Sequence, residues 1–292
     1  MSAQWKNLLC SFQNESKEKK LKRKVVLIAL IFLMSILFIL ITEKSELPEE
    51  RVADTFEAKS EEVEEMVEKI PLADLKEIDA GSVVGEEQIA LENMDNYFTV
   101  SEIDEGIFAR IKGKSYPENA KITLDELRYI KVIHYNYNHE VQVGELIVNK
   151  AIAEDCVNIF RELYEVEYEV ESMRLIDDFW TGDSVESDEN SIEHNNTSAF
   201  NYRVVPGTAH LSNHALGRAI DINPLQNPYV KYNEDGSFAH YYKDMELYLD
   251  RESGKAHMIT HQDEAYRIFT KYGFFWGGDW NSMKDYQHFE KE

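Results

Sequence analysis

The sequence predicts an α+β domain set behind an apolar segment and an acidic stretch, and three observations predict it. From residue 97 onward, segments with helical spacing of apolar residues are interspersed with short β-branched and aromatic runs. Residues 25–42 form a continuous apolar run behind a cluster of Lys and Arg. Residues 43–96 are rich in Glu and poor in aromatics. The chain therefore divides into a basic tail (1–24), a transmembrane anchor (25–42), an acidic stalk (43–96) and a folded domain (97–292).

Apart from Ser35 and the closing Thr42, residues 25–42 carry no polar side chain. As a helix they span about 27 Å, close to the thickness of a bilayer core. Lys17, Lys19, Lys20, Lys22, Arg23 and Lys24 precede the run and acids follow it, which places the N-terminus in the cytoplasm and the domain outside the plasma membrane. The residues after the run, Ile41-Thr-Glu-Lys-Ser45, offer no small-x-small cleavage site, so the segment reads as an uncleaved single-pass anchor. In the stalk, Glu61, Glu62, Glu64, Glu65 and Glu68 crowd a piece in which Val63, Met66, Val67 and Ile70 keep helical spacing.

With 31 basic and 55 acidic residues the chain carries a net charge of -24, which excludes nucleic acid as a partner, since phosphate binding needs a basic surface. Its two cysteines, Cys10 and Cys156, fall on opposite sides of the membrane on this reading, so no intrachain disulfide is expected.

Within the domain, Phe98, Val100, Ile103, Ile107, Phe108 and Ile111 open the folded structure. Thr123-Leu-Asp-Glu126 has the form of a capping box that starts a helix. Residues 130–137 read as a strand and 144–149 as extended. Asn149 is placed to cap a helix running to Tyr164, with Ile152, Cys156, Ile159, Phe160 and Leu163 on its apolar face. Alternation over 167–176 predicts a strand that delivers Arg174. Residues 180–196 and 225–250 read as irregular, 260–272 as a helix ended by Gly273, and 274–276 as a strand.

The chemistry gathers in two stretches. Leu211-Ser-Asn-His-Ala-Leu-Gly-Arg-Ala-Ile-Asp-Ile-Asn223 offers His214 and Asp221. A loop turned by Gly217 and leading into a strand puts Ala219, Asp221 and Asn223 on one side and Ile220 and Ile222 on the other. The second stretch, Trp276-Gly-Gly-Asp-Trp280 continuing to Asp285-Tyr-Gln-His288-Phe-Glu290, offers His288 with Asp285 close before it. Its glycine pair lets the backbone approach another group closely. Two imidazoles and a carboxylate make a three-ligand Zn2+ set that leaves a fourth position open for water, and a neighbouring carboxylate suits proton transfer. His257 and His261 have the spacing of a helical zinc pair, but Met258 follows His257 where that motif needs a glutamate, so they read as surface residues. His210 is close enough in sequence to His214 to enter the site.

Taken in order, Ser212-x-His214-x-x-Gly217-x-Ala219-x-Asp221, Trp276-Gly-Gly-Asp-Trp280 and Asp285-x-x-His288-Phe-Glu290 resemble the VanY-like family of zinc D-alanyl-D-alanine carboxypeptidases and L-alanyl-D-glutamate endopeptidases. Ser198-Ala-Phe-Asn-Tyr-Arg203 and Asn223-Pro-Leu-Gln-Asn-Pro-Tyr229 resemble the same group, and the likeness runs from roughly residue 124 to the C-terminus. The resemblance implies a small antiparallel sheet with helices packed around the metal. It implies zinc on His214, Asp221 and His288, and Asp285 as general base. It also implies an arginine, on a strand well before the first histidine, that steadies the oxyanion or a substrate carboxylate. Arg174 is the nearest positional match and Arg203 the second, and Arg203, Ser212, Trp276 and Asp183 are the residues expected around the substrate. Peptidoglycan stem peptides are the implied substrate. The alternatives are an L,D-endopeptidase and a zinc-containing wall-binding module without catalysis.

Overall fold

The computed structural model describes residues 74–205, 207–240 and 243–292. The basic tail, the anchor and residues 43–73 of the stalk lie outside the described residues. Among the described residues no helix is long and apolar enough to cross a membrane.

Residues 74–96, expected in the stalk, belong instead to the folded unit. Short 3-10 turns at Leu75–Glu77, Glu86–Gln88 and Leu91–Tyr97 punctuate this segment. Leu75 and Ile89 are buried, while most of the acids face solvent. Between the turns the backbone runs along a sheet edge: Gly81 N–H donates to Val143 O at 2.7 Å, Val143 N–H to Ser82 O at 2.9 Å and Val84 N–H to Val141 O at 2.9 Å. A few well-placed apolar residues and an open sheet edge are enough to hold the segment, and composition reports neither.

The chain then forms β1 (Phe98–Ser101), α1 (Glu105–Ile111), β2 (Leu127–Tyr135) and β3 (Val141–Asn149). The capping box at Thr123 is present, but it closes only the 3-10 turn Leu124–Glu126, and β2 follows at once. β1, β2 and β3 form an antiparallel sheet in that order. β2 and β3 are buried along nearly their whole length. One face is apolar. The other holds the cross-strand pair Lys131 and Glu145, with Arg110 of α1 at 2.8 Å and Tyr129 Oη at 2.6 Å from the Glu145 carboxylate. A buried carboxylate persists only with such partners.

α2 (Ala153–Glu165) buries the predicted face, Cys156, Ile159, Phe160 and Leu163, against this sheet. Its N-cap is Ile152 rather than Asn149. Asn149 accepts from Ala151 N and donates its amide to Leu216 O, both at 3.0 Å, so it ties the end of β3 to the loop carrying His214. β4 (Ser172–Met173) is only two residues long and pairs in parallel with β5 (Asn196–Thr197). Between them lies α3 (Ser184–Glu193), where the sequence predicted irregular chain. Its buried positions include Ser187 and Ser191, whose small polar side chains leave no apolar period to detect.

β6 (Ala219–Asp221) is followed by β7 (Tyr229–Tyr232) and β8 (Phe238–His240), a hairpin inside the stretch predicted as loop. Asn233 and Gly236, correct as turn signals, mark its tip, closed by Asn233 N–H to Ser237 O at 2.8 Å. α4 (Glu264–Lys271) starts at the Asp263 cap and ends at Gly273 as predicted. β9 (Phe275–Trp276), β10 (Met283–Asp285) and β11 (His288–Glu290) complete the chain. The sheets β6-β11-β9 and β10-β7-β8 are both antiparallel. The fold is thus α+β, with three small antiparallel sheets and one short parallel pair where a single small sheet was expected. Phe269 of α4 joins the layers, meeting Phe160 of α2 edge-on at 6.4 Å and stacking on Phe289 of β11 at 4.3 Å, next to His288.

His134 on β2 is buried, and its Nε2 finds no hydrogen-bond partner among the described residues. Burial pushes its pKa down to about 4 from the ordinary 6.5, so the folded chain holds the ring neutral. Between those values the unfolded chain binds the proton and the folded chain does not, so this contribution is complete above pH 6.5 and is lost as pH falls to about 4. In urea denaturation, wild type is expected to lose about 3 kcal/mol relative to His134→Phe between pH 7 and pH 4. A pH-independent difference between the two would refute the assignment.

Candidate metal centre

Three ligand atoms converge because three local structures aim them. β6 and β11 pair so that Asp221 and His288 stand directly opposite each other. His214 arrives on the 3-10 turn Asn213–Leu216, started by Ser212, whose hydroxyl accepts from His214 N at 3.3 Å. Gly217 then reverses the chain with φ +64°, and a Cβ there would lie 2.6 Å from Asn149 N. Only glycine meets both demands. The strand alternation predicted for 219–223 holds over β6, with Ile220 in the core and Asp221 in the centre, but the strand ends at Asp221 and Asn223 turns away with φ +46°.

His214, Asp221 and His288 are all buried. His214 Nε2 lies 3.2 Å from His288 Nδ1 and 3.2 Å from Asp221 Oδ2, and His288 Nδ1 lies 3.0 Å from Asp221 Oδ1. The outer ring nitrogens are both engaged. His214 Nδ1–H donates to Ala199 O at 2.6 Å, and His288 Nε2–H to Glu290 Oε2 at 3.0 Å. Those bonds leave the inner nitrogens as lone pairs facing each other and a carboxylate. A tetrahedral divalent ion bound at about 2.0–2.1 Å has ligand–ligand edges of about 3.3 Å, close to these separations. Asn213 donates to Glu290 at 2.5 Å and Gln287 to Asp221 Oδ2 at 3.2 Å, so the groups behind the ligands are themselves held. The residues fit a metal ion.

The electrostatics agree. Burial opposes ionisation of Asp221, but His214 and His288 outweigh it and hold the carboxyl well below its usual range. Burial likewise opposes charge on His288, yet its bonds to Asp221 and Glu290 raise it to about 10. The centre is built to hold positive charge.

Asp285 closes one side. It ends β10, paired with Tyr229 of β7, so the missed hairpin carries this carboxylate. The residue is partly exposed, but its Oδ1 is buried with no hydrogen-bond partner among the described residues. Burial first, then the Asp221 charge, push Asp285 up to about 7, while His288, His214 and Arg203 pull it down. The predicted close approach at the glycine pair is real: a Cβ on Gly277 would lie 2.6 Å from Asp285 O. Trp280, from the same loop, packs its ring 5.2 Å from that of His288.

The other expected residues divide. Arg203 lies in electrostatic reach of Asp285, and its backbone carbonyl accepts from Ser212 N at 3.0 Å. Arg174 is turned elsewhere: it pairs with Asp178 at 2.8 Å and lies over the Phe179 ring. Asp183 caps α3, accepting from Val185 N and Glu186 N. Trp276 is buried in an aromatic cluster with Tyr286 and Phe289 and donates its indole N–H to Tyr286 O at 2.8 Å, so it supports β10 and β11 from behind rather than lining a substrate wall. His210 is exposed and outside the ligand group. His261 pairs with Asp279 at 2.7 Å and His257 stacks on Tyr137, and neither joins the centre. The sequence reading missed Asp188 on α3, which grips Arg203 at 2.7 Å, and it quoted Glu290 in the His288 motif without giving it a role of its own.

Residues 206–291 match a family model described as D-alanyl-D-alanine carboxypeptidase. This stretch belongs to that family of zinc peptidases. The match covers all three ligands and Asp285, and stops short of Arg203 and α3. No curated protein and no solved structure matches the chain.

Zinc titration against a chromophoric chelator tests the centre independently of turnover. His214→Ala, Asp221→Ala and His288→Ala are each expected to lose affinity by about 100-fold or more, and Glu290→Gln by about 10- to 100-fold. Asp285→Asn is expected to keep zinc. Tight stoichiometric binding by any of the three ligand variants would remove that residue from the set.

Proposed function

We propose that this chain is a zinc D-alanyl-D-alanine carboxypeptidase, anchored in the plasma membrane by residues 25–42, that trims peptidoglycan stem peptides outside the cell. The observation that carries the activity is the buried His214, Asp221 and His288 group with the Asp285 carboxylate beside it, inside the stretch matched to this family. The anchor and its orientation rest on the apolar run and the basic residues before it.

His214, Asp221 and His288 would hold the zinc ion, which would supply Lewis acidity and acidify a bound water. Asp285 Oδ1, without a hydrogen-bond partner among the described residues, takes the proton from that water and delivers it to the amine of the departing D-alanine. Burial and the Asp221 charge both favour the protonated form of Asp285, which suits a carboxylate that takes a proton and later gives it back. Arg203 presents a buried Nε–H that has no acceptor among the described residues, suited to the oxygen on which negative charge grows. Glu290 and the Ala199 carbonyl keep the two imidazoles in the tautomers and orientations this needs.

The test is incubation of the chain with a stem pentapeptide ending in D-Ala-D-Ala, read by mass spectrometry. Release of a single D-alanine is expected, abolished by a chelator, restored by zinc, and reduced about 100-fold or more in Asp285→Ala. Cleavage between L-alanine and D-glutamate would replace this reading with the endopeptidase. Absence of any metal-dependent product from either bond would leave a metal-holding binding module.

A further inference from the structure

We propose that Asp188, on α3, is a positioning residue for the reaction: it sets the direction in which Arg203 presents its guanidinium to the metal centre. This deepens the catalytic reading above and rests on Arg203 acting there.

Arg203 Nη2 lies 2.7 Å from Asp188 Oδ2, and both side chains are mostly buried, at 12% and 14% exposure. A guanidinium is planar, with its donors fixed in a fork, so pinning one nitrogen fixes where the others point. Arg203 Nε is buried with no acceptor among the described residues, and the Arg203 carbonyl accepts from Ser212 N–H at 3.0 Å, two residues before His214. A buried donor left open on a segment bonded to the one that carries His214 is suited to a substrate oxygen. Asp188 is held in turn. The Asn201 amide donates to Ser184 O at 2.9 Å and reaches Asp188 Oδ1 at 3.4 Å, and Asn201 N–H donates to His214 O at 3.2 Å. Asn201 thus bonds on one side to the helix bearing Asp188 and on the other to the turn bearing a metal ligand, so the arginine is indexed to the metal rather than to a free loop. The Asp188 charge also offsets Arg203, which lets a buried guanidinium stand ready without drawing Asp285 into a permanent ion pair.

The test is a double-mutant cycle on the full chain with the stem pentapeptide, using Asp188→Ala, Arg203→Ala and the pair, with Asp188→Glu as the conservative variant. Asp188→Ala is expected to lower kcat by about 10- to 100-fold with KM nearly unchanged, since a guanidinium displaced by about 1 Å fails the developing charge more than the bound substrate. Zinc affinity and Tm are expected to stay at the wild-type values. Adding Asp188→Ala to Arg203→Ala is expected to cost nothing further, and Asp188→Glu to recover part of the loss. Independent, multiplying effects of the two single variants, or a loss that follows Tm or zinc content, would overturn the proposal. An Arg203→Ala variant with wild-type turnover would instead overturn the role given to Arg203 itself.

Discussion

The constraint on which the rest of this structure depends is the meeting of two imidazole lone pairs and a carboxylate within about 3 Å of one another, in a buried place. Such an arrangement is unfavourable unless positive charge sits among the three atoms. The protein holds them there by antiparallel pairing that fixes Asp221 against His288, and by a left-handed glycine that brings His214 up beside them. Hydrogen bonds to the outer ring nitrogens complete the device by deciding which nitrogen of each ring faces inward.

Around that centre the fold works as a set of supports with separate tasks. The β1-β2-β3 sheet with α2 and α4 forms the dry core, and Phe269 and Phe289 carry its rigidity to the strand of His288. The β7 and β8 hairpin holds β10, and with it Asp285. The segment from Asn196 to Arg203 forms the wall opposite. Ser198 exchanges two backbone bonds with Asp221, Ala199 fixes His214, and Arg203 reaches the side of Asp285. α3 backs that wall through Asp188. The three candidate ligands, Asp285 and Arg203 therefore stand on different supports: β6, β11 and the Asn213–Leu216 turn for the ligands, β10 for Asp285, and the Asn196–Arg203 segment for the arginine. This is the condition under which small errors of position are kept out of a catalytic site.

Several expectations failed for one shared reason. Residues 74–96 read as stalk because their acids outnumber the few residues that make contact. α3 read as loop because it buries serines rather than leucines, and burial of a hydrogen-bonded hydroxyl leaves no periodic signal. The β7 and β8 hairpin read as loop because its turn residues were recognised while its strands, four and three residues long, were not. Arg174 and Arg203 both sit on extended chain at plausible distances before His214. What separates them is which partner each finds in space, Asp178 for one and Asp188 with the metal centre for the other. Trp276 belongs to the same strand-and-glycine motif as Trp280, yet one ring turns into the core and the other lies against His288.

The sequence alone determined the metal ligands, because their chemistry is local: a serine cap, a histidine, an obligatory glycine turn and an aspartate on an alternating strand are legible in eleven consecutive positions, 212–222. It determined Asp285 for the same reason, through its short spacing to His288, and it determined the helices whose apolar faces repeat. Tertiary structure alone decided which partner each arginine finds, which tryptophan lies against His288 and where the folded unit begins. Those choices depend on hydrogen bonds and ion pairs between segments far apart in the chain, and the residues that make them, Asp188, Asn201, Glu290 and Asn149, are polar side chains whose partners no local pattern specifies.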